Sequence, residues 1–563
     1  MINTTNNSVI TRNKQEKYSQ NNKNNTSFKG PGTAVLTGLR ALNNSPAIGA
    51  CAVDLCSMVI PRTAIEAKNR GPQAGIEAAF REGASCLIHA CVGLIGLGAG
   101  ALVSKQFNKD NGIKAQNIFA SGNTINNLSE LWESSEHNQK QFFQSFIQNI
   151  KGLNGTDWTT VSCAAKDDIV EGLVSLAEKT EELSKVSGAD KSKLAKEIKN
   201  LKSIISTKVI QDTGAQASFK LTAGTTAKEV SSSLGELIDN AVSLSNTFKT
   251  KTEDALPSFV KALSRNKVAT TILGMGICAA LCMSVQPINR YLTKKRTGQD
   301  GFVGVEGGKG GDTSNGFKAA KTAAGIAFPI FAMKTIGKFP DLLSNIQFNS
   351  KVPTINQFKF LYGLTIGSRF LSSRDGNELR ESVIKDTLGF TNWLILGGMV
   401  SKITARLLGG KELINNPIKQ EGKKGIGYAL KWIANSSVKS FDEVLLPNAK
   451  EAIKDGKVLS FKSLYKAADK ATKSKVHKIA GSQIAGYLYS GLVLGVGIAK
   501  LNIFITKKLQ ERKKKKEANI ATATIQKNPI ANTTTKTIAK STINNQKYEN
   551  LKQEKSPIFK EFN

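Results

Sequence analysis

The residues that could bind a metal ion are few, and their spacing does not favour a site. Cys86, His89 and Cys91 lie close together, and thiolates and imidazoles are ligands that zinc prefers. However, one imidazole among leucines lacks the acidic neighbour that usually orients a metal-binding histidine. The seven cysteines include no Cys-X-X-Cys pair, and most lie in apolar runs. We therefore expect buried, reduced thiols, with no metal ion and no cofactor.

Catalytic and nucleotide-binding patterns are also missing. A phosphate-binding loop requires Gly, four residues and then Gly-Lys-Ser/Thr. Val303 stands where the first glycine belongs, and Gly310 follows Lys309 where Ser or Thr belongs. The chain has no HExxH or GxSxG sequence, and its three histidines have no partner at a useful spacing. General bases and activated nucleophiles thus have no candidates, which predicts a protein that is not an enzyme.

A dense cluster of charged residues at 369–386 is the best candidate for a polar site. Arg374 and Glu378 are four residues apart, as are Glu381 and Lys385, so each pair would meet on one helix face. One interpretation is a solvated face with compensating ion pairs, and the other is a polar network inside a membrane domain that lines a cavity or gate. The candidate network consists of Arg369, Arg374, Asp375, Glu378, Arg380, Glu381, Asp386 and Asn392, with Asp54 and His89 as further polar groups that could face the same cavity.

Uncharged apolar runs are the elements that would position this cluster. The runs 85–103, 268–285 and 479–499 each come close to the roughly 20 residues that a helix needs to cross a bilayer core. The runs 319–337 and 387–401 are marginal, because the first carries two lysines and the second is short. We expect three to six spanning or re-entrant helices.

Glycine and proline within these runs bear on helix packing. Small residues let helices approach closely in lipid, whereas glycine only weakens a helix in water. A Gly-X-X-X-Gly spacing marks Gly96, Gly100, Gly491 and Gly495 as candidate helix-packing residues. Because proline lacks an N–H, we expect Pro287 to end the helix of the second run.

The stretch 106–262 is predicted to be a soluble helical insert. Apolar residues recur at helical spacing over 169–176 and again over 194–205, which predicts an antiparallel amphipathic hairpin. Its apolar stripe would pack within the insert or bind a partner protein. The other predicted divisions are a disordered tail at 1–33, membrane-associated helices at 34–105, membrane helices at 263–405, basic amphipathic helices at 406–478, a transmembrane helix at 479–506 and a disordered basic tail at 507–563.

The charge of the chain favours contact with anionic lipid. Lys and Arg number 78 against 44 Asp and Glu, and the net charge is +34. Because basic residues flank apolar segments, lipid headgroups are better partners than nucleic acid. By the positive-inside tendency, the basic C-terminal tail should be cytoplasmic. The candidate headgroup contacts are Lys507, Lys508, Arg512, Lys513, Lys514, Lys515 and Lys516.

A weak internal similarity links two parts of the chain. Arg-Glu opens both 81–105 and 380–402, and Val-Ser-Lys closes both. Two related membrane units would give this pattern. We favour chance similarity, because so few residues agree.

The sequence thus predicts an all-α, multi-pass helical membrane protein with a helical soluble insert and disordered termini. The preferred function is a non-enzymatic membrane scaffold or interaction protein that contacts anionic lipid and could form a homo-oligomer. One alternative is a transporter or channel in which polar groups at 369–392 line a pathway. The other is a secreted pore-forming or translocator-type effector, which the lack of an apolar stretch at the N-terminus permits.

Overall fold

The computed structural model is mostly helical, at 79%, and its described residues divide into two compact units, the first ending at Ala499 and the second beginning at Lys500. The predicted tail residues 1–30 and 528–563 lie outside the described residues. The structure describes residues 31–44, 46–152, 158, 161–213, 218–223, 228–305, 311–349, 352–395, 398–415, 425–449 and 451–527.

The N-terminal part of the first unit is a series of helices separated by short breaks. A π-helical turn over Asp54–Val59 joins α2 to α3, and Cys91 separates α4 from α5. Pro61 and Pro72 lie in first turns, where a missing N–H leaves no helical hydrogen bond unmade. The helices are α1 (Pro31–Asn44), α2 (Pro46–Val53), α3 (Ile60–Arg70), α4 (Pro72–Ala90), α5 (Val92–Val103) and α6 (Lys105–Asn111).

The insert that follows is a helical domain with one small sheet. Side-chain caps start its helices: Asn138 accepts from two N–H groups of α8, and Ser233 with Glu236 forms a capping box on α11. The three strands are antiparallel in the order β1-β2-β3. The elements are α7 (Gly122–Ser134), α8 (Gln139–Asn149), β1 (Ile150–Gly152), α9 (Cys163–Leu183), α10 (Gly188–Thr213), β2 (Ser218–Leu221), β3 (Val230–Ser233) and α11 (Leu234–Phe248).

The core of the insert includes residues from far along the chain. Phe142, Phe143 and Phe146 are fully buried in it, and the apolar stripes of α9 and α10 face it. The same buried cluster contains Leu446 and Leu464. The domain predicted at 106–262 is therefore completed by a segment that follows it by about 190 residues.

The remainder of the chain, which includes the start of the second unit, contains further apolar helices and a second, smaller insert at 410–469. It also has two two-stranded antiparallel sheets, β4-β5 and β6-β7. The elements are α12 (Leu256–Thr297), α13 (Asn315–Lys334), α14 (Leu342–Asn345), α15 (Ile355–Leu371), α16 (Gly376–Phe390), α17 (Met399–Gly409), β4 (Ile414–Asn415), α18 (Ile426–Asn435), β5 (Ser437–Val438), α19 (Phe441–Leu445), β6 (Ile453–Lys454), β7 (Lys457–Val458), α20 (Phe461–Ala467), α21 (Lys470–Tyr489) and α22 (Ile498–Lys527).

Among the described residues, two helices are long and apolar enough to cross a membrane, and a bent pair could provide a third crossing. The first is α12, with 42 residues. The second runs from Lys470 to Ile520 and includes α21, a π-helical turn at Ser490–Gly497 and most of α22. The bent pair is α4–α5, whose axes differ by 52° at Cys91. These correspond to the three strongest runs of the sequence.

Several predictions differ from the structure. The predominantly helical fold is confirmed, although the described residues also contain three short sheets that the sequence did not predict. The run 387–401 is not one helix, because α16 ends at Phe390 and Gly398 adopts φ +73° before α17. Residues 31–33 and 507–527 are helical where disorder was expected. Lys, Gln and Ala favour helix, which explains why the basic repeat at 507–527 forms one.

The prediction that Pro287 ends a helix is wrong, because α12 continues through it. Proline leaves the carbonyl of residue i−4, here Met283, without its usual helical donor. Ser368 Oγ of α15 donates to that carbonyl at 2.6 Å. A neighbouring helix thus supplies the hydrogen bond that the proline removes.

The candidate packing glycines differ in how close an added Cβ would lie to its nearest neighbour. A Cβ at Gly495 would lie 2.0 Å from Ser57 O, and one at Gly96 would lie 2.4 Å from the Phe348 ring. At Gly100 the nearest contact would be 3.2 Å from Gln116 Cβ, and at Gly491 it would be 3.9 Å from Ser57. Gly96 and Gly495 therefore permit approaches that no other residue would allow.

We expect Gly495→Ala to destabilise the folded protein by about 1–3 kcal/mol, because the added methyl group meets a backbone carbonyl that cannot rotate away. Gly491→Ala is the matched control, since it lies in the same π-helical turn and its Cβ has ordinary contacts. Thermal unfolding of both variants in detergent measures the difference. Equal melting temperatures would contradict the close contact at Gly495.

Candidate functional site: a buried ion-pair network

An ion-pair network is buried where α4, α15 and α16 meet. Arg374, in the loop between α15 and α16, pairs with Glu77 of α4 (Nη2–Oε1 2.5 Å) and with Glu378 of α16 (Nε–Oε2 2.9 Å). The exposed fraction is 2% for Arg374, 4% for Glu77 and 3% for Glu378. Burial alone would lower the pKa of Arg374, but the charges of Glu378 and Glu77 outweigh burial and raise it. The arginine stays charged and links α4 to α16.

A second arginine joins the same three helices. Arg369 of α15 pairs with Glu82 of α4 (Nη2–Oε2 3.0 Å) and with Asp386 of α16 (Nη1–Oδ1 3.2 Å). Lys385 Nζ donates to Glu82 at 2.9 Å, and Arg81 Nε lies 3.3 Å from the same carboxylate. Glu82 therefore compensates three buried cations.

A third arginine brings α3 into the network. Arg70, the last residue of α3, pairs with Glu381 of α16 (Nη2–Oε1 2.5 Å) and with Glu66 of its own helix (3.0 Å). The guanidinium groups of Arg70 and Arg374 both lie over the Phe302 ring, 4.7 and 5.6 Å from its centroid. The loop after α12 thus covers the network with an aromatic side chain.

Three of the sequence-predicted residues lie at the margin of the network. Asp375 caps α16 by accepting from the N–H groups of Asn377 and Glu378, both at 2.9 Å. Arg380 is 26% exposed, and its Nη2 lies 3.9 Å from Glu381. Asn392 accepts from Tyr489 OH at 3.1 Å, away from the ion pairs.

The sequence missed the carboxylates that complete the network. The missed residues precede the cluster by about 300 positions, so no local pattern connects them to it. They are Glu66, Arg70, Glu77 and Glu82. One signal was available, because the repeated Arg-Glu at 81–82 and 380–381 marks both sides of this interface. Arg374 also borders a cavity of about 350 Å³ with Arg290 and Lys294.

A second polar cluster lies deeper among the helices. The His89 and Tyr362 rings stack with centroids 3.8 Å apart, and Tyr362 OH donates to Asp54. Cys282 Sγ lies 3.8 Å from His89 Nε2. The two polar groups predicted to face one cavity, Asp54 and His89, therefore meet through Tyr362. Among the described residues, no group of three or more His, Cys, Asp or Glu side chains is placed to hold a metal ion.

The second compact unit carries the candidate headgroup contacts on one helix. The basic side chains from Lys507 to Lys516 are exposed on α22. Lys508 Nζ lies 5.5 Å from the Phe504 ring centroid, and Lys513 pairs loosely with Glu517 at 3.9 Å. Comparisons with protein-family models, curated proteins and solved structures find no match for this chain.

We expect Arg374→Gln to lower the free energy of unfolding by about 3–5 kcal/mol, because it leaves Glu77 and Glu378 buried without a cation. Lys475→Gln is the control, since its ion pair with Glu412 is exposed (42% and 69%) and should matter little. In a double-mutant cycle, Glu77→Gln should cost less in the Arg374→Gln background than in the native chain. Chemical unfolding in detergent measures each value, and additive losses would contradict the pairing.

Proposed function

We propose that this chain is a multi-pass membrane protein that acts as a non-enzymatic scaffold in contact with anionic lipid. One observation carries the proposal: α12 holds 22 consecutive uncharged residues, 268–289, between basic residues at both ends. At 1.5 Å per residue this stretch is about 33 Å long, which matches a bilayer core. Large side chains on it stay exposed, including Ile272 (59%) and Ile288 (47%).

The other candidate spans support the same proposal. Glu82 and Lys105 bound 22 uncharged residues, and Lys478 and Lys500 bound 21. Large apolar side chains are exposed on these helices too: Leu87, Leu94, Leu102, Ile484, Leu488 and Leu492. Soluble monomers rarely expose so much contiguous apolar surface, whereas lipid tails would cover it.

Anionic lipid is the proposed partner of the basic residues on α22. Exposed lysines near a membrane are attracted to a negatively charged leaflet, and salt weakens the attraction. By the positive-inside tendency, the C-terminal tail would lie in the cytoplasm. The insert at 106–262 would then present its polar surface to a protein partner.

The lipid preference can be tested with the full chain in nanodiscs that mix phosphatidylserine and phosphatidylcholine. Changing Lys513, Lys514, Lys515 and Lys516 to Gln should lower the fraction of phosphatidylserine that co-purifies, and high salt should remove the difference. The matched control changes four exposed lysines of α10 to Gln: Lys191, Lys193, Lys196 and Lys199. Mass spectrometry of bound lipid measures the ratio, and equal ratios in both variants would exclude the tail as the lipid contact.

Alkaline carbonate extraction tests membrane residence independently of lipid type. The native chain and both sets of variants should remain in the membrane pellet, because the apolar helices and not the lysines hold them there. Release of the native chain into the supernatant would overturn the proposal as a whole.

A transporter is the second candidate, and the positions of the helix breaks favour it. The helix pairs α4–α5 and α16–α17 are both interrupted, and interrupted helices in corresponding parts of a chain often mark a transport site. The buried Asp54 and His89 and the half-buried Tyr362 are titratable groups that would lie at membrane depth, where such groups usually have a function.

This candidate predicts proton flux in proteoliposomes under an imposed gradient, with Asp54→Asn abolishing it. Lys475→Gln is the control, because the ion pair of Lys475 with Glu412 is exposed and lies outside the candidate polar network. A pH-sensitive dye inside the vesicles measures the flux. Native vesicles no more permeable than protein-free vesicles would rule out proton transport.

A further inference from the structure

Contacts between helices define two opposite ends in the first compact unit. At one end, here called the insert end, Ser104 Oγ donates to Asn266 Oδ1 at 2.8 Å and Lys267 Nζ donates to Ala115 O. At the other, the network end, Asn289 Nδ2 donates to the backbone oxygen of Glu77 at 3.1 Å. The pair α4–α5 therefore runs from the network end to the insert end, and α12 runs back.

The next two long helices, α13 and α15, also run between these two ends, first to the insert end and then back to the network end. Before α13, the Asp312 N–H donates to Arg374 O at 2.8 Å, which places its start at the network end. After α13, Asp341 pairs with Lys228 of the insert at 2.7 Å. Gln347 then accepts from the Gly122 N–H of α7 at 2.8 Å, so α15 starts at the insert end. It ends at Arg369 and Arg374 in the network.

The broken pair α16–α17 must return to the insert end, because the residues after it pack there. Asn200 Nδ2 of α10 donates to Gly456 O at 2.7 Å, and Leu446 and Leu464 lie in the core of the insert. If α12 crosses a bilayer, a protein segment on the far side could not reach that core. The number of crossings between the insert and 446–464 is therefore even.

The same contacts place the first and last helices. Arg40 of α1 pairs with Asp442 of the second insert at 2.8 Å, at the insert end. From there α2–α3 leads to Arg70 and its partner Glu381 at the network end. The helix that begins at Lys470 starts at the insert end, where Lys475 pairs with Glu412 at 2.8 Å.

Two groups of three consecutive elements run in the same order of directions between the insert end and the network end. The first is α2–α3, α4–α5 and α12, and the second is α15, α16–α17 and α21–α22, with α13 as the connection. Within each group the second element is interrupted. Arg70 precedes Glu82 by twelve residues, and Arg369 precedes Glu381 by twelve. These four residues form exchanged pairs, Arg70–Glu381 (2.5 Å) and Arg369–Glu82 (3.0 Å).

We propose that the chain contains two copies of one three-element membrane unit, joined by α13, and that it crosses the bilayer seven times. The proposal rests on the membrane residence proposed above and goes beyond the two or three crossings that helix length and composition indicate. It places α1 and both inserts on one side. The loop after α12 lies on the other side, and the chain reaches that side again at the end of its last crossing, the apolar run 479–499. In this arrangement, the interrupted pairs α4–α5 and α16–α17 and the shorter helices α13 and α15 tolerate polar residues because neighbouring helices shield those residues from lipid.

Labelling of single cysteines in sealed vesicles with a membrane-impermeant maleimide tests this topology. The seven native cysteines are replaced by alanine or serine, and one exposed position is changed at a time: Ser187→Cys, Lys462→Cys, Gln299→Cys or Glu511→Cys. Ser187→Cys and Lys462→Cys should be labelled from the same side, and Gln299→Cys and Glu511→Cys should be labelled from the other. A crossing count of two or three would put Lys462 opposite Ser187, and that result would overturn the proposal.

The labelling also separates this proposal from the proposed function. If all four positions react equally in sealed vesicles and the chain is released by carbonate, membrane residence itself fails. If the chain resists carbonate but Ser187 and Lys462 react from opposite sides, only the seven-crossing arrangement fails. A cysteine-free chain with the native melting temperature establishes that replacement of Cys86, Cys278 and Cys282 preserves the fold.

Discussion

Burial of arginine–carboxylate pairs is the constraint on which the helix arrangement of the first unit depends. Each of Arg70, Arg369 and Arg374 contacts two carboxylates, and at least one of these belongs to a different helix. Removing charges from water is expensive, so such pairs add little net stability over a well-packed apolar interface. Misplacing one helix by a single turn would instead leave several charges unpaired. The network therefore selects one register among the many that apolar helices could adopt.

Proline and small residues act together to bring the helices close enough for this pairing. Pro287 deprives Met283 O of its helical donor, and Ser368 replaces it. Pro329 likewise leaves the carbonyl of Gly325 without its usual helical donor. A Cβ added to Gly367 of the neighbouring helix would lie 2.8 Å from that carbonyl oxygen. Each proline thus lies where a small residue of the adjacent helix can approach the backbone, so that helix covers the carbonyl group that the proline leaves without its usual donor.

The sequence was sufficient to locate the strongest apolar helices and the residues at 369–386 that form one side of the ion-pair network. Runs of about 20 uncharged residues are local signals, and the predicted runs at 268–285 and 479–499 fall within the two long helices. The partners of Arg369 and Arg374 were missed because Glu82 and Glu77 lie nearly 300 residues away. Pro287 was misjudged because its compensating hydrogen bond comes from another helix. The π-helical turn at Thr391–Ile395 and the positive φ of Gly398 are features that the periodicity of apolar residues does not record.

Completion of the insert by residues 446–464 has a consequence for synthesis of the chain. The helices of the insert are all made by residue 248, yet Leu446 and Leu464 join its core only after about 200 more residues. At about 5–20 residues per second, the ribosome takes roughly 10–40 s to supply them. During that interval the apolar surface that will receive these leucines is uncovered. The nascent insert therefore needs protection from aggregation until the second insert emerges beside it.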